Sequence, residues 1–175
     1  MGQRDARWRH VSLGNSKTST IGEYGCLLTC LAMLVNEFPD ALNQQLVAAN
    51  AFFPAGSACP ACLKRPFDVR RWTGRGPHYV RESERYPTKP FPSTEITALR
   101  EHLLRGNPAI VEVDYNGTAP GGQHFVLAVD AHRQPVRIGI HDPFYNDDPD
   151  LVPRYGITHA VAIVGVIYYS WEGIT

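Results

Sequence analysis

At 175 residues the chain is long enough to bury a core of its own as a single domain. A hydrophobic content of 43% against 19% charged excludes a disordered polymer, and 17 basic against 17 acidic side chains leave no net charge to attract nucleic acid. No apolar run reaches membrane-spanning length, and the polar, charged residues 1–10 are not a secretory signal, so neither a membrane partner nor delivery by a standard signal is expected.

Residues 1–9 read as a loose arm with Trp8 as its one apolar anchor. Residues 10–13 suit a short strand, and 14–25, rich in Gly, Asn, Ser and Thr, read as loop. A helix over about 26–37 is apolar nearly all round (Leu27, Leu28, Leu31, Met33, Leu34, Val35), so it is expected to be buried on most sides. Phe38-Pro39-Asp40 ends it, and Asp40 is the expected cap of a second helix over 41–49. Residues 51–92 are irregular and rich in proline, an insertion in the domain, with short elements expected near 67–69 and 78–80. A third helix starts at 92–95, capped by Ser93 or Thr94, with Ile96, Leu99, Leu103 and Leu104 on its apolar face and Gly106 as its stop.

The pattern then turns to β. Strands are expected at 109–115, 123–129, 136–140 and 160–169, the last long and apolar enough to lie inside the sheet. Turns are expected at Asn116-Gly117, Gly121-Gly122 and 132–135. Helices first and antiparallel strands after them predict an α+β fold in one domain, not a βαβ alternation.

Cys26 closes the Ser/Thr/Gly-rich loop and opens the first long helix. A helix start presents unpaired N–H groups and the positive end of the macrodipole, which favour a thiolate. A cysteine nucleophile needs a base and a group to orient it. His124 starts one predicted strand and Asp142 ends the next, so a hairpin between them sets the two side by side. Cys26, His124 and Asp142 are therefore the candidate catalytic set, and that chemistry needs neither metal nor cofactor. Each residue also has a plainer role open to it: a buried structural thiol, a strand-end histidine, a turn acid.

These segments resemble papain-like cysteine peptidases. The matching stretches are the Tyr24-Gly25-Cys26-Leu27-Leu28-Thr29 loop and helix, Gln123-His124-Phe125-Val126-Leu127, and Ile140-His141-Asp142-Pro143-Phe144-Tyr145. Within that group the chain is similar to relatives of the bacteriocin-leader-processing (double-glycine) peptidases, and most of all to the N-terminal peptidase domains of phage endolysins. Leu13-Gly14, Thr20-Ile21-Gly22 and Tyr155-Gly156 carry the closer likeness. The resemblance implies a papain-like fold with its central helix starting at the cysteine. It also implies hydrolysis of peptide bonds by Cys26 as nucleophile, His124 as base and Asp142 as orienting acid. The substrate it implies is a peptide, bacterial cell-wall peptide in the endolysin case, with action at the wall or in a phage particle.

One departure stands out. Papain-like enzymes carry a glutamine a few residues before the cysteine as an oxyanion donor. Here the loop 17–24 has no amide, and Gln3 and Asn15 are the only ones upstream. Thr20, Ser19 or Asn15 are the candidate substitutes. Loss of such a donor costs about a hundredfold or more in rate, so the alternative is a weak or inactive module with a structural or binding role.

Other residues read more plainly. Cys30 suits core packing, with a resolving thiol as its alternative. His141 points away from Asp142's face and is taken as non-catalytic. Cys59 and Cys62 form a lone C-x-x-C in a loop, better suited to a disulfide or paired thiols than to half of a zinc site or a redox centre. The acidic stretch 146–150 lacks calcium-loop spacing and reads as a solvated turn. Trp72, Tyr79 and Phe91 suit a small core within the insertion better than a substrate cleft.

Overall fold

The structure, a computed structural model, describes residues 1–115, 123–132 and 136–172. It is a mixed α+β protein with a five-stranded sheet. The chain divides into two compact units. The first is Met1–Tyr79 with Pro143–Asn146 and the segment from Trp171; the second is Val80–Asp142 with Asp147–Ser170.

The first unit is helical: α1 (Ile21–Tyr24), α2 (Cys26–Val35), α3 (Pro39–Ala48) and α4 (Val69–Thr73). The expected burial of α2 is found, since Leu28, Thr29, Cys30, Leu31, Ala32, Leu34 and Val35 are all buried. The helix stops two residues before the expected end, because Asn36 takes a left-handed conformation (φ 52°) that asparagine tolerates and that turns the chain before Pro39. Pro39 then begins α3 as well as barring the continuation of α2. At the first helical position its missing N–H has no acceptor to lose, so Phe38, not Asp40, is the capping residue. Near 67–69 the expected short element is α4, whose capping Asp68 accepts from the Arg71 N–H at 3.0 Å.

The arm is not loose. Trp8 is only 2% exposed and its indole N–H donates to Gly2 O at 2.9 Å, while the Gln3 N–H donates to Pro143 O at 2.7 Å. The segment 10–13 contributes a single bridge, Ser12 to Thr20, instead of a strand. That bridge closes the loop around Gly14, whose φ of 57° and whose approach to the Phe52 ring both exclude a side chain. Cys59 and Cys62 are joined in a disulfide in the same unit.

The second unit is built on the sheet, in the order β1-β5-β2-β3-β4, with β1 (His78–Glu82) running across the division. The other strands are β2 (Ala109–Asp114), β3 (Gln123–His132), β4 (Arg137–His141) and β5 (Ile163–Ser170), paired antiparallel wherever β2, β3, β4 and β5 meet. The last strand lies inside the sheet, as its apolar sequence predicts. Its first residues differ from expectation: 159–162 form a short helix, α7 (His159–Ala162). The turns expected at 116–117, 121–122 and 133–135 lie outside the described residues. Helix α5 (Ser93–Leu104) packs on β3, and α6 (Leu151–Arg154) on β4. Pro92 takes the cap position of α5, so neither Ser93 nor Thr94 acts as a side-chain cap. The core of this unit joins Leu99 and Leu103 of α5 to Val111, Val126, Ile138 and Val166 of the strands, together with Phe91 from the irregular stretch 51–92. Among the described residues no helix is long and apolar enough to cross a membrane.

If the arm is part of the core, Trp8→Ala should cost about 3–5 kcal/mol in urea unfolding. A loss under about 0.5 kcal/mol, the range of ordinary surface changes, would mean the arm contributes nothing to the fold.

Candidate active site

His124 and Asp142 meet, as the hairpin argument predicts. His124 Nε2 lies 3.0 Å from Asp142 Oδ1, and both side chains are almost completely buried, at 5% and 0% exposure. The register of β3 on β4 explains the meeting. Near the site Leu127 faces His141 and Ala128 faces Ile140, but past a bulge Asp130 faces Gly139. Continuing the first register by one residue sets Asp142 across from Val126, on the same face as His124 and diagonal to it. Had the second register persisted, His141 would sit across from Ala128 and Asp142 would point to the other face.

The bulge therefore decides which of the neighbours His141 and Asp142 reaches the histidine. It is held by Gly139, whose N–H donates to Asp130 Oδ1 at 3.0 Å. A Cβ at Gly139 would stand 2.0 Å from that same oxygen, so a side chain there would push the Asp130 carboxylate aside and disturb this bond. His141, on the opposite face, pairs with Asp148 near the surface.

Tyr155, at the end of α6, completes the arrangement. Its hydroxyl donates to Asp142 Oδ2, so one carboxylate oxygen holds His124 and the other is held by Tyr155. The Asp142 N–H donates to Asp147 O at 2.9 Å and fixes the backbone beneath it. The His124 ring is walled by Tyr115 (centroids 5.6 Å apart, edge-on) and by Tyr155 (5.8 Å). A buried carboxylate needs donors on both oxygens, and a histidine fixed through one nitrogen keeps one tautomer and one orientation. The sequence pointed to Tyr155 only through the Tyr155-Gly156 likeness. A tyrosine thirteen residues beyond its carboxylate has no spacing that marks it.

Cys26 belongs to the first unit, and it is the first residue of α2, partly exposed and outside any disulfide. The loop expected before it contains the single-turn helix α1, and the two helices meet at Gly25. The Gly25 N–H donates to Ile21 O at 2.9 Å, and its own carbonyl accepts from Thr29 at 2.8 Å. A Cβ at Gly25 would lie 2.4 Å from Ile21 O, so the tight junction that delivers Cys26 requires glycine. The N–H groups of Cys26, Leu27 and Leu28 have no acceptor within α2 and supply the positive end of its dipole beside the thiol. Cys30 lies buried one turn further along.

The loop polar groups are placed as follows. The Thr20 hydroxyl donates to Glu23 at 2.9 Å, and the Asn15 side-chain amide donates to Phe53 O at 2.8 Å. The Ser19 N–H donates to the Ser16 hydroxyl at 2.9 Å. Gln3, like Asn43, is a buried amide of this unit. Its Nε2 donates to Gly22 O at 3.1 Å, bracing α1, while its Oε1 has no partner among the described residues. Its distance in sequence from Cys26 hid that role. Of the acids at 146–150, Asp147 pairs with Arg154, Asp148 with His141, and Asp150 with Arg137.

Compared with known proteins, the chain matches no family model, no curated protein and no solved structure.

Tyr155→Phe removes one donor from a buried carboxylate and should lower stability by about 1–3 kcal/mol in urea unfolding at neutral pH. An effect under about 0.5 kcal/mol would show that Asp142 does not depend on that hydroxyl.

Proposed function

We propose that this protein is a cysteine peptidase of papain-like fold, with Cys26 as nucleophile, His124 as general base and acid, and Asp142 as orienting acid. The observation that carries the proposal is the buried Asp142 carboxylate, engaged by His124 on one oxygen and by Tyr155 on the other. A strand-end histidine in a purely structural role has no need of a buried acid with its own fixed donor. The placement of a thiol as the first residue of a helix supports the same reading.

In this mechanism the Cys26 thiolate attacks the amide carbonyl. The negative charge that develops on oxygen is met by N–H groups of the first turn of α2. With Nε2 committed to Asp142, His124 uses Nδ1 to protonate the leaving amine, and the thioester forms. Water then attacks the thioester, His124 takes its proton, and Cys26 leaves as thiolate. Asp142 keeps the tautomer and stabilises the imidazolium without itself being protonated. The substrate class is a peptide; bacterial cell-wall peptide follows from the endolysin likeness.

One pair of observations favours a second reading. The Thr20 hydroxyl and the Asn15 amide, two of the candidate oxyanion donors, are engaged by Glu23 and Phe53. A module without a side-chain oxyanion donor would be slow or inactive, and would serve as a binding or structural domain.

The test is hydrolysis of purified bacterial peptidoglycan and of a mixed peptide library, followed by the appearance of new amino termini. The native protein should release them, and Cys26→Ala should reduce the rate by about 10⁴-fold or more. Equal activity in the two would remove Cys26 from the mechanism. Inactivity of both on every substrate would favour the second reading.

A further inference from the structure

The Cys59–Cys62 disulfide lies in the helical unit, between cysteines three residues apart in sequence. A bridge over so short a loop removes little freedom from the unfolded chain, so it adds little to overall stability. What it shapes is one turn. Cys62 is exposed and Cys59 half-buried, and the Cys62 N–H donates to Cys59 O at 3.1 Å. Two further bonds tie the turn to its surroundings. The Asn15 N–H donates to Pro60 O, inside the bridged ring, and the Phe53 N–H donates to Cys62 O, each at 3.0 Å. The Asn15 side-chain amide donates to Phe53 O, so Asn15 is held by this hairpin twice. We propose that Cys59–Cys62 is a site of thiol–disulfide exchange with dithiols, and that its oxidation state sets the order of the loop at Asn15. The site stands independently of the Cys26 chemistry.

Exposure determines where the exchange begins. One thiolate of the dithiol attacks Cys62 Sγ, the Cys59–Cys62 bond breaks, and Cys59 leaves as thiolate. The second thiol of the same molecule attacks its own sulfur in the mixed disulfide, and Cys62 leaves in turn. The dithiol departs as its disulfide, two electrons pass to the protein, and the two thiol protons end on Cys59 and Cys62. The surrounding charge favours an approaching thiolate. The segments that build the site, 13–19 and 51–67, hold no acidic residue, whereas Lys17, Lys64 and Arg65 lie in them. The turn does not open a helix, since α4 starts only at Val69, so no helix dipole activates either thiol. The pair is therefore an acceptor of electrons from a dithiol, not a catalyst of exchange in other proteins. Once the ring opens, nothing fixes the Pro60 carbonyl toward Asn15. The base of the hairpin is held by other means: Phe52 and Leu63 are buried and bridge each other, and the Lys64 N–H donates to Ala51 O at 2.8 Å. Loosening is thus confined to the turn and to Asn15.

The test uses the full chain, with dithiothreitol as the dithiol. Free thiols are trapped with iodoacetamide and read by mass spectrometry, so that Cys59 and Cys62 are counted apart from Cys26 and Cys30. Both should become labelled in the folded protein at a rate within about tenfold of that in urea. Amide hydrogen exchange, followed by NMR in the oxidised and the reduced protein, should quicken on reduction by about fivefold or more at Asn15 and Phe53 and stay unchanged at Lys64. The double substitution Cys59→Ser, Cys62→Ser should show the reduced pattern and ignore dithiothreitol. Reduction that occurs only as urea unfolds the chain, equal exchange at Asn15 and Phe53 in the two states, or equal quickening at Lys64 would each overturn the proposal. The native protein in its two states carries the test should the double variant fail to fold.

Discussion

A buried carboxylate has to be surrounded by donors or it does not stay ionised, and Asp142 shows what that requirement demands of a fold. One oxygen takes His124 and the other takes Tyr155, which come from β3 and from the end of α6. Neither partner can reach it unless β3 and β4 pair in the register found beside the site. That register exists only on one side of the bulge opposite Gly139. A single extra residue in β3 thus determines that an acid, and not His141, faces the histidine. Beside the bulge the Asp130 carboxylate closes on the Gly139 N–H of β4, at a position where a side chain would displace it. The pairing of His124 with Asp142 therefore depends on where the register shift falls further along the same strand.

Much of this was legible in the sequence. The apolar circumference of α2 announced a buried helix, alternation announced β2, and the turn residues around them marked β3 and β4. The loop–cysteine–helix order placed Cys26 where the structure has it, and the hairpin topology brought His124 to Asp142. What stayed hidden has physical reasons. A bulge leaves no mark in hydrophobic periodicity, so the adjacency of His124 and Asp142 could be argued from strand ends but not from register. Tyr155 and Gln3 act through contacts across long stretches of chain, which no local spacing reveals. The charges of the arm dominate its composition, whereas its inward fold rests on Gly2, Gln3 and Trp8, the buried residues among 1–9. Pro39 was read as a stop because proline ends helices more conspicuously than it starts them.

Two glycines lie close to the candidate residues. Gly25 lets α1 abut α2 so that a cysteine becomes the first helical residue, and Gly139 lies opposite the bulge in β3 and gives its N–H to Asp130. A Cβ at Gly25 would meet a backbone carbonyl, that of Ile21, whereas one at Gly139 would meet the side-chain carboxylate of Asp130.

The central claim is that His124, oriented by Asp142, acts on the Cys26 thiol. The most direct measurement is the rate of iodoacetamide labelling of Cys26 at neutral pH, read by mass spectrometry so that Cys30 is counted separately, in the native protein and in His124→Ala. A free thiol is only a few per cent thiolate at pH 7, so the claim predicts that labelling in the variant falls by about tenfold or more. Equal rates in the two folded proteins would contradict it.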